Sequence, residues 1–290
     1  VNHNIPESFA LAIHTPEGTI VHTGDFKFDP NPINEAPSDV SRLEALGKKG
    51  VLMLTSDSTD VEKLGSSIPE QEIKRNMEEI FEDHMGSRLM FATFSSLLSR
   101  VQQVFDLAHK YGRKVAVDGY SMRNNVEIAR SLGYLKTARD VQIPIKDVDK
   151  YKPNQVVVLC TGAQGEGNAV LMRIAQGEHK SVRIQAGDVV VFSSSVIPGN
   201  ERSVQGLKDV LYRQEAHVWH YKMMDIHAGG HASSEDLARM IQLVKPKYFF
   251  PVHGHYYMLK LHTELAQKNG VSAEDTYIMN NGDCAHVSKD

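Results

Sequence analysis

The 290 residues are 41% hydrophobic and 23% charged, with a formal net charge of -4. That composition excludes a disordered chain and a polybasic tail, and it suffices for one large or two ordinary packed domains, so any nucleic-acid surface must be a local patch. No apolar run reaches the ~18 residues a membrane helix needs, and Cys160 and Cys284 lie far apart without a CxxC or CxxH partner, which argues for a reducing, cytoplasmic setting and against a cysteine zinc site.

The opening residues, Val1-Asn2-His3-Asn4-Ile5-Pro6, carry no charged-then-apolar targeting pattern, and a first residue that is not Met reads as a cut or processed end. Two β-rich runs follow, Phe9 to His14 and Thr19 to Thr23, joined by the turn formers of Thr15-Pro16-Glu17-Gly18, which predicts a hairpin. After a Pro/Asn-rich loop, Pro30 to Pro37, a short helix is expected over Val40 to Leu46 and a buried strand over Val51 to Thr55. That strand ends in the polar cluster Ser56-Asp57-Ser58-Thr59-Asp60, the kind of place where sites are built.

From about Ile68 strands and helices alternate. Helices are expected over Glu70 to His84, Ser96 to Tyr111, Met122 to Leu132, Asn168 to Gln176 and Glu201 to Tyr212. Strands are expected over Leu89 to Thr93, Lys114 to Val117, Val156 to Cys160, Asp188 to Ser193 and His217 to Tyr221. Such alternation implies parallel strands covered by helices, an α/β domain occupying 60–222 between flanking parts at 1–59 and 223–290. The last part holds a helix (Ser233 to Val244), a strand (Tyr248 to Val252), a helix (Tyr256 to Lys268) and two closing strands around Tyr277 and Ala285.

Three motifs carry chemistry. His227-Ala-Gly-Gly-His231-Ala-Ser-Ser precedes a helix, so its glycines, Ser233 and the N–H groups of the first helical turn offer a phosphate cradle. Pro251-Val252-His253-Gly254-His255 puts an imidazole at a strand tip, where an open metal site can lie. Thr23-Gly24-Asp25 ends a strand with a carboxylate, and carboxylates so placed can bridge two divalent ions in phosphodiester hydrolysis. Each also has an ordinary structural explanation taken alone: a glycine loop with a serine cap, a turn with an incidental histidine, an aspartate turn.

Together, and with NHNIPES, TSDST, TGAQGE (Thr161 to Glu166) and FSSSVIPGNE (Phe192 to Glu201) in the same order, these segments resemble the beta-CASP branch of the metallo-beta-lactamase superfamily, most closely the ribonuclease J family, over nearly the whole chain. The resemblance implies a partial metallo-beta-lactamase αββα sandwich with an inserted beta-CASP α/β domain that closes an RNA channel. It implies that His3, Asp25 and His253 are metal ligands, Asp25 lying between two zinc ions, with manganese as a substitute. It places Asp57 and His231 in catalytic positions, His231 holding the scissile phosphate or protonating the leaving oxygen. RNA phosphates are then expected on Thr161, Gly162, Ser193, Ser194, Ser195, His227, Gly229, Gly230 and Ser233.

The superfamily's HxHxDH run is absent from the sequence, as is the family's usual carboxy-terminal domain, so the resemblance implies an incomplete ligand set, weak or absent turnover by this chain alone, and an open question of homo-oligomeric assembly. His255 stands where the family commonly has an acidic residue and Asp60 where it has asparagine. The alternatives are an RNA-binding module without turnover, a DNA-processing beta-CASP nuclease, and a small-molecule hydrolase, against which the long α/β insertion speaks. Exonucleolytic and endonucleolytic cutting both stay open.

Overall fold

The structure, a computed structural model, describes residues 1–33, 35–138 and 140–287; Asn34, within the Pro30 to Pro37 loop, lies outside them. The expected hairpin forms from β1 (Leu11–His14) and β2 (Thr19–His22), antiparallel with Leu11 opposite His22. Thr15 ties its turn by accepting from the backbone N–H groups of Glu17 and Gly18. Helix α1 (Val40–Lys49) starts where the Asp39 carboxylate accepts from Arg42 N at 3.0 Å, and β3 (Val51–Asp57) follows.

The alternating region gives α2 (Glu70–Asp83), β4 (Leu89–Ala92), α3 (Leu98–Lys110), β5 (Lys114–Asp118), α4 (Tyr120–Ser131), β6 (Gln142–Ile143), β7 (Val156–Cys160), α5 (Val170–Ala175), β8 (Val189–Phe192), α6 (Glu201–Arg213) and β9 (His217–His220). Then come α7 (Ser234–Val244), β10 (Pro246–Val252) and α8 (Tyr256–Lys268). The chain divides into two compact units, one taking in Val1–Pro69 and the chain from Gly229 onward, the other Glu70–Ala228.

The second unit is built on a sheet of order β6-β5-β7-β4-β8-β9 in which every neighbouring pair is parallel. All five residues of β7, Val-Val-Val-Leu-Cys, are buried, as a central parallel strand covered on both faces requires. Helix α3 buries Val101, Val104, Phe105 and Ala108, the spacing of one helical face. It also buries Arg100, whose guanidinium donates to Ser193 Oγ at 2.6 Å, to Glu70 Oε2 at 3.1 Å and to the Ile226 carbonyl. A second buried pair, Arg88 and Asp188 at 2.6 Å, fastens the starts of β4 and β8 together.

The first unit has the sheet β1-β2-β3-β10, antiparallel only at the hairpin. Val21, Leu54 and Phe249 from its strands pack with Leu237, Met240 and Ile241 of α7 into one core. The edge strand β1 leaves Leu11 and Ile13 exposed.

One expectation needs correcting. Among the described residues no strand forms around Tyr277 or Ala285: a single parallel bridge joins Phe249 and Thr276, with Tyr277 N donating to the Phe249 carbonyl at 2.9 Å. Residues 280–286 are exposed, so no buried face exists there to fix a strand register. The two-residue β6 was too short to show a period in sequence. Among the described residues no helix is long and apolar enough to cross a membrane.

Candidate metal and phosphate site

Parallel pairing sets Val252 opposite Asp57, so β3 and β10 end side by side and deliver Asp57 and His253 to the same sheet edge. His253 has φ +55, a left-handed backbone unusual for a side chain that is not glycine and a form of strain that clusters at functional sites. Asp25 arrives in the turn after β2, which is coupled to β3 because Asp57 N donates to Thr23 Oγ1 at 3.1 Å. His231 comes from the loop before α7. Asp25, Asp57, His231 and His253 each turn a ligand atom inward, all within 4.8 Å of one another.

Within this cluster the two carboxylates differ. Asp57 is buried and both its oxygens are engaged: Oδ1 accepts from Thr59 N at 3.0 Å and Thr59 Oγ1 at 2.7 Å, and Oδ2 pairs with His231 Nδ1 at 2.7 Å. Asp25 is free of such bonds and half-exposed, with Oδ2 lying 3.8 Å from His3 Nε2 and Oδ1 3.8 Å from His253 Nε2. One oxygen therefore faces each imidazole.

His3 is oriented from behind. Its Nδ1 lies 2.7 Å from the Gly230 carbonyl, which can only accept, so Nδ1 carries the proton and Nε2 presents a lone pair toward Asp25. Burial, opposed by that hydrogen bond, holds the His3 pKa below the ordinary histidine value and keeps the ring neutral. For His231, burial also acts downward, but the hydrogen bond and charge of Asp57 outweigh it and raise the pKa. Burial pushes the Asp57 carboxyl up, and the His231 and Thr59 contacts overcome that and lower it.

The approach of His3 depends on glycine. A β-carbon at Gly230 would lie 2.5 Å from the His3 ring and 2.7 Å from Asn4 Cγ. Gly230→Ala is expected to push His3 off its carbonyl anchor, costing about 1–3 kcal/mol of stability by overpacking and weakening metal binding by about 10-fold or more; unfolding and Mn²⁺ titration check both.

Models of known families match two stretches of the chain: residues 86–211 match "Ribonuclease J, beta-CASP domain", and residues 221–279 match "Zn-dependent metallo-hydrolase RNA specificity domain". Ribonuclease J of Helicobacter pylori strain B128 is 42% identical over 287 residues, 99% of this chain. The chain belongs to the ribonuclease J family. Ribonuclease J 1 of Streptococcus pyogenes serotype M3 is also 42% identical over 99% of the chain, and ribonuclease J2 of Bacillus subtilis strain 168 is 37% identical over 97%. The chain spans 41%, 51% and 50% of those three relatives' lengths. A crystal structure of a protein of unknown function from Enterococcus faecalis V583 shares the fold, with TM-score 0.62 at 14% identity over 97% of this chain and 60% of that one.

The phosphate contacts implied by ribonuclease J resemblance are placed unevenly. In the second unit, Ser193 is fully buried and has no donor left: its N–H goes to the Ala92 carbonyl and its hydroxyl to the Ile226 carbonyl. These bonds brace the end of β8. Ser194 is buried and accepts from Gln164, Thr161 and Ser195 are half-buried, and Gly162 is buried. His227 is buried with Phe94 edge-on to its ring at 6.2 Å.

In the first unit, three N–H groups at the N-terminus of α7 are engaged by the chain itself. Ser234 N donates to the Lys63 carbonyl at 2.9 Å, Glu235 N to the Gly65 carbonyl at 3.1 Å, and Ser233 N to Ser67 Oγ at 3.3 Å. These bonds join the helix end to the 63–67 loop, which the Asp236 carboxylate secures from the other side by accepting from Ser67 N. Gly229 lies close to the Asp60 carboxylate, and Asp60 is paired with Lys63 at 2.7 Å.

Sequence reasoning passed over two supporting residues. Thr59 was findable, because an aspartate followed two residues later by threonine is a common side-chain-to-backbone turn. His262 was findable too, as a polar residue inside the buried stripe Leu259, His262, Thr263, Ala266 of α8. Burial depresses its pKa to about 3. The unfolded chain then binds one more proton than the folded one between about pH 6.5 and pH 3, so stability falls as pH drops through that window. The loss is on the order of 4 kcal/mol at pH 3, and it is expected to disappear from urea unfolding curves of His262→Phe.

Proposed function

We propose that the chain belongs to a metal-dependent ribonuclease that hydrolyses RNA phosphodiester bonds, with two zinc ions in the complete site, manganese as a substitute, and a cytoplasmic setting. The observation that carries it is the convergence of Asp25, Asp57, His231 and His253 at the carboxyl ends of β3 and β10, with His3 facing Asp25. Imidazole nitrogens with carboxylate oxygens suit a divalent transition metal. His3, Asp25 and His253 would hold the metal, with one Asp25 oxygen turned to each histidine. Bound ions would supply an activated water and charge stabilisation at the phosphoryl oxygens.

Asp57 serves the other half of the reaction. It holds His231 by Nδ1, leaving Nε2 to keep or release a proton at the departing oxygen. Thr161, Gly162, Ser193, Ser194, Ser195, His227, Gly229, Gly230 and Ser233 are the candidates for phosphate contacts. A second reading is an RNA-binding chain without turnover, since oriented N–H and hydroxyl donors would hold phosphates whether or not a bond is cut.

Elemental analysis after exhaustive dialysis, followed by cleavage and salt-dependent binding of 5'-labelled RNA and DNA, separates these. About two ions per chain with RNA cleavage support the nuclease. Salt-sensitive RNA binding without cleavage supports the binding module, and preferential DNA cleavage supports the DNA-processing branch. A chain that binds neither metal nor nucleic acid sinks the proposal.

A further inference from the structure

Ser58 sits between Asp57 and Thr59 in the turn that ends β3, and its hydroxyl lies 2.9 Å from Nδ1 of His262 on α8. The Ser58 hydroxyl donates its own hydrogen to the Ser56 carbonyl at 3.4 Å, so His262 supplies the proton of the imidazole–hydroxyl bond from Nδ1. His262 has no exposed surface, its ring packs edge-on to Phe249 with centroids 4.8 Å apart, and its Nε2 has no hydrogen-bond partner among the described residues.

A buried imidazole with one nitrogen left over is a costly way to fill a helix stripe. An apolar residue of similar volume would leave nothing unsatisfied. What His262 provides that leucine or phenylalanine could not is the bond to Ser58, and Ser58 is the middle of the turn whose neighbours do the work. Asp57 on one side binds His231, and Thr59 on the other bonds both Asp57 and, at 3.2 Å, the His253 carbonyl.

We propose that His262 is a positioning residue that fixes the Ser56–Thr59 turn through Ser58 and thereby aims Asp57 at His231. Its consequence for metal binding rests on the metal-centre proposal above; its effect on the turn does not. The apolar face of α8 keeps its packing whichever residue stands at 262, so turn order and fold stability separate on substitution.

His262→Phe removes the bond while keeping the ring contact with Phe249, and His262→Asn keeps a donor at the place of Nδ1. In the whole chain, His262→Phe is expected to speed amide exchange at Thr59 by about tenfold or more and to weaken binding of Mn²⁺ alone by about tenfold. Its thermal midpoint should stay level or rise, and exchange at Leu54 and Phe249 should not change. His262→Asn should match the parent protein in all of these. If His262→Phe does not fold, Ser58→Ala should show the same two losses. Parent-like Thr59 exchange in His262→Phe, or in Ser58→Ala, overturns the positioning role, as does His262→Asn failing as His262→Phe does. If the parent chain itself binds no Mn²⁺ the metal-centre proposal fails, and Thr59 exchange still decides the role of His262.

Discussion

Asp25→Ala is expected to strip the chain of bound metal, weakening Mn²⁺ or Zn²⁺ affinity by more than about 100-fold and abolishing RNA turnover with it. The Asp25 carboxylate makes no hydrogen bond that stabilises the fold, and its side chain is 41% exposed. Its removal should therefore change stability by no more than about 0.5 kcal/mol, so the loss will be a loss of site and not of structure. What it removes is the carboxylate lying between His3 and His253: each Nε2 stands 3.8 Å from one of its oxygens, beyond hydrogen-bond range. Modest movements of these side chains would let His3, Asp25 and His253 hold a metal together. Elemental analysis of the variant beside its parent decides the matter, and retained metal in Asp25→Ala would transfer the ligand role to Asp57.

Much of the fold was legible because each element repeats its own period. Val156 to Cys160 reads as a two-faced buried strand, and α3 shows its core stripe without help. The carboxyl-terminal stretch misled for a physical reason: Tyr277 to Met279 and Cys284 to Val287 flank Asn281-Gly282 like a hairpin, yet Tyr277 spends its ring on stacking with Phe250 at 5.2 Å and the rest finds no face to bury. At the site, residue types and order pointed to Asp25, His231 and His253, but not to who binds whom. The Asp57–His231 bond joins positions 174 residues apart, and no local pattern encodes it. The bonds at the N-terminus of α7 were hidden for the same reason, since the 63–67 loop that accepts from Ser234 N and Glu235 N is remote in sequence. The internal bonding of Ser193 was equally hidden, because a serine at a strand end looks the same whether its hydroxyl faces solvent or, as here, a buried arginine.

His231→Ala is expected to lower RNA turnover by about 100- to 10,000-fold while leaving metal content at the parent level, whereas Asp25→Ala loses both. The reason is the division within the cluster: His231 is tied to Asp57 at 2.7 Å, whereas His3 and His253 face the uncommitted Asp25. Asp57→Asn supplies the pH test. Burial alone would make the His231 imidazolium give up its proton early, and the Asp57 hydrogen bond and charge reverse that. With asparagine in place, burial is opposed only by the weaker charges of Asp25 and Asp60, the proton leaves at lower pH, and the alkaline limb of the rate profile should move to lower pH. A phosphodiester with a p-nitrophenolate leaving group then separates the two roles open to His231. That leaving group departs without protonation, so a general acid becomes dispensable and His231→Ala should cleave it nearly as well as the parent. A histidine that holds the scissile phosphate remains necessary for either substrate, and equal losses on both would assign it that role.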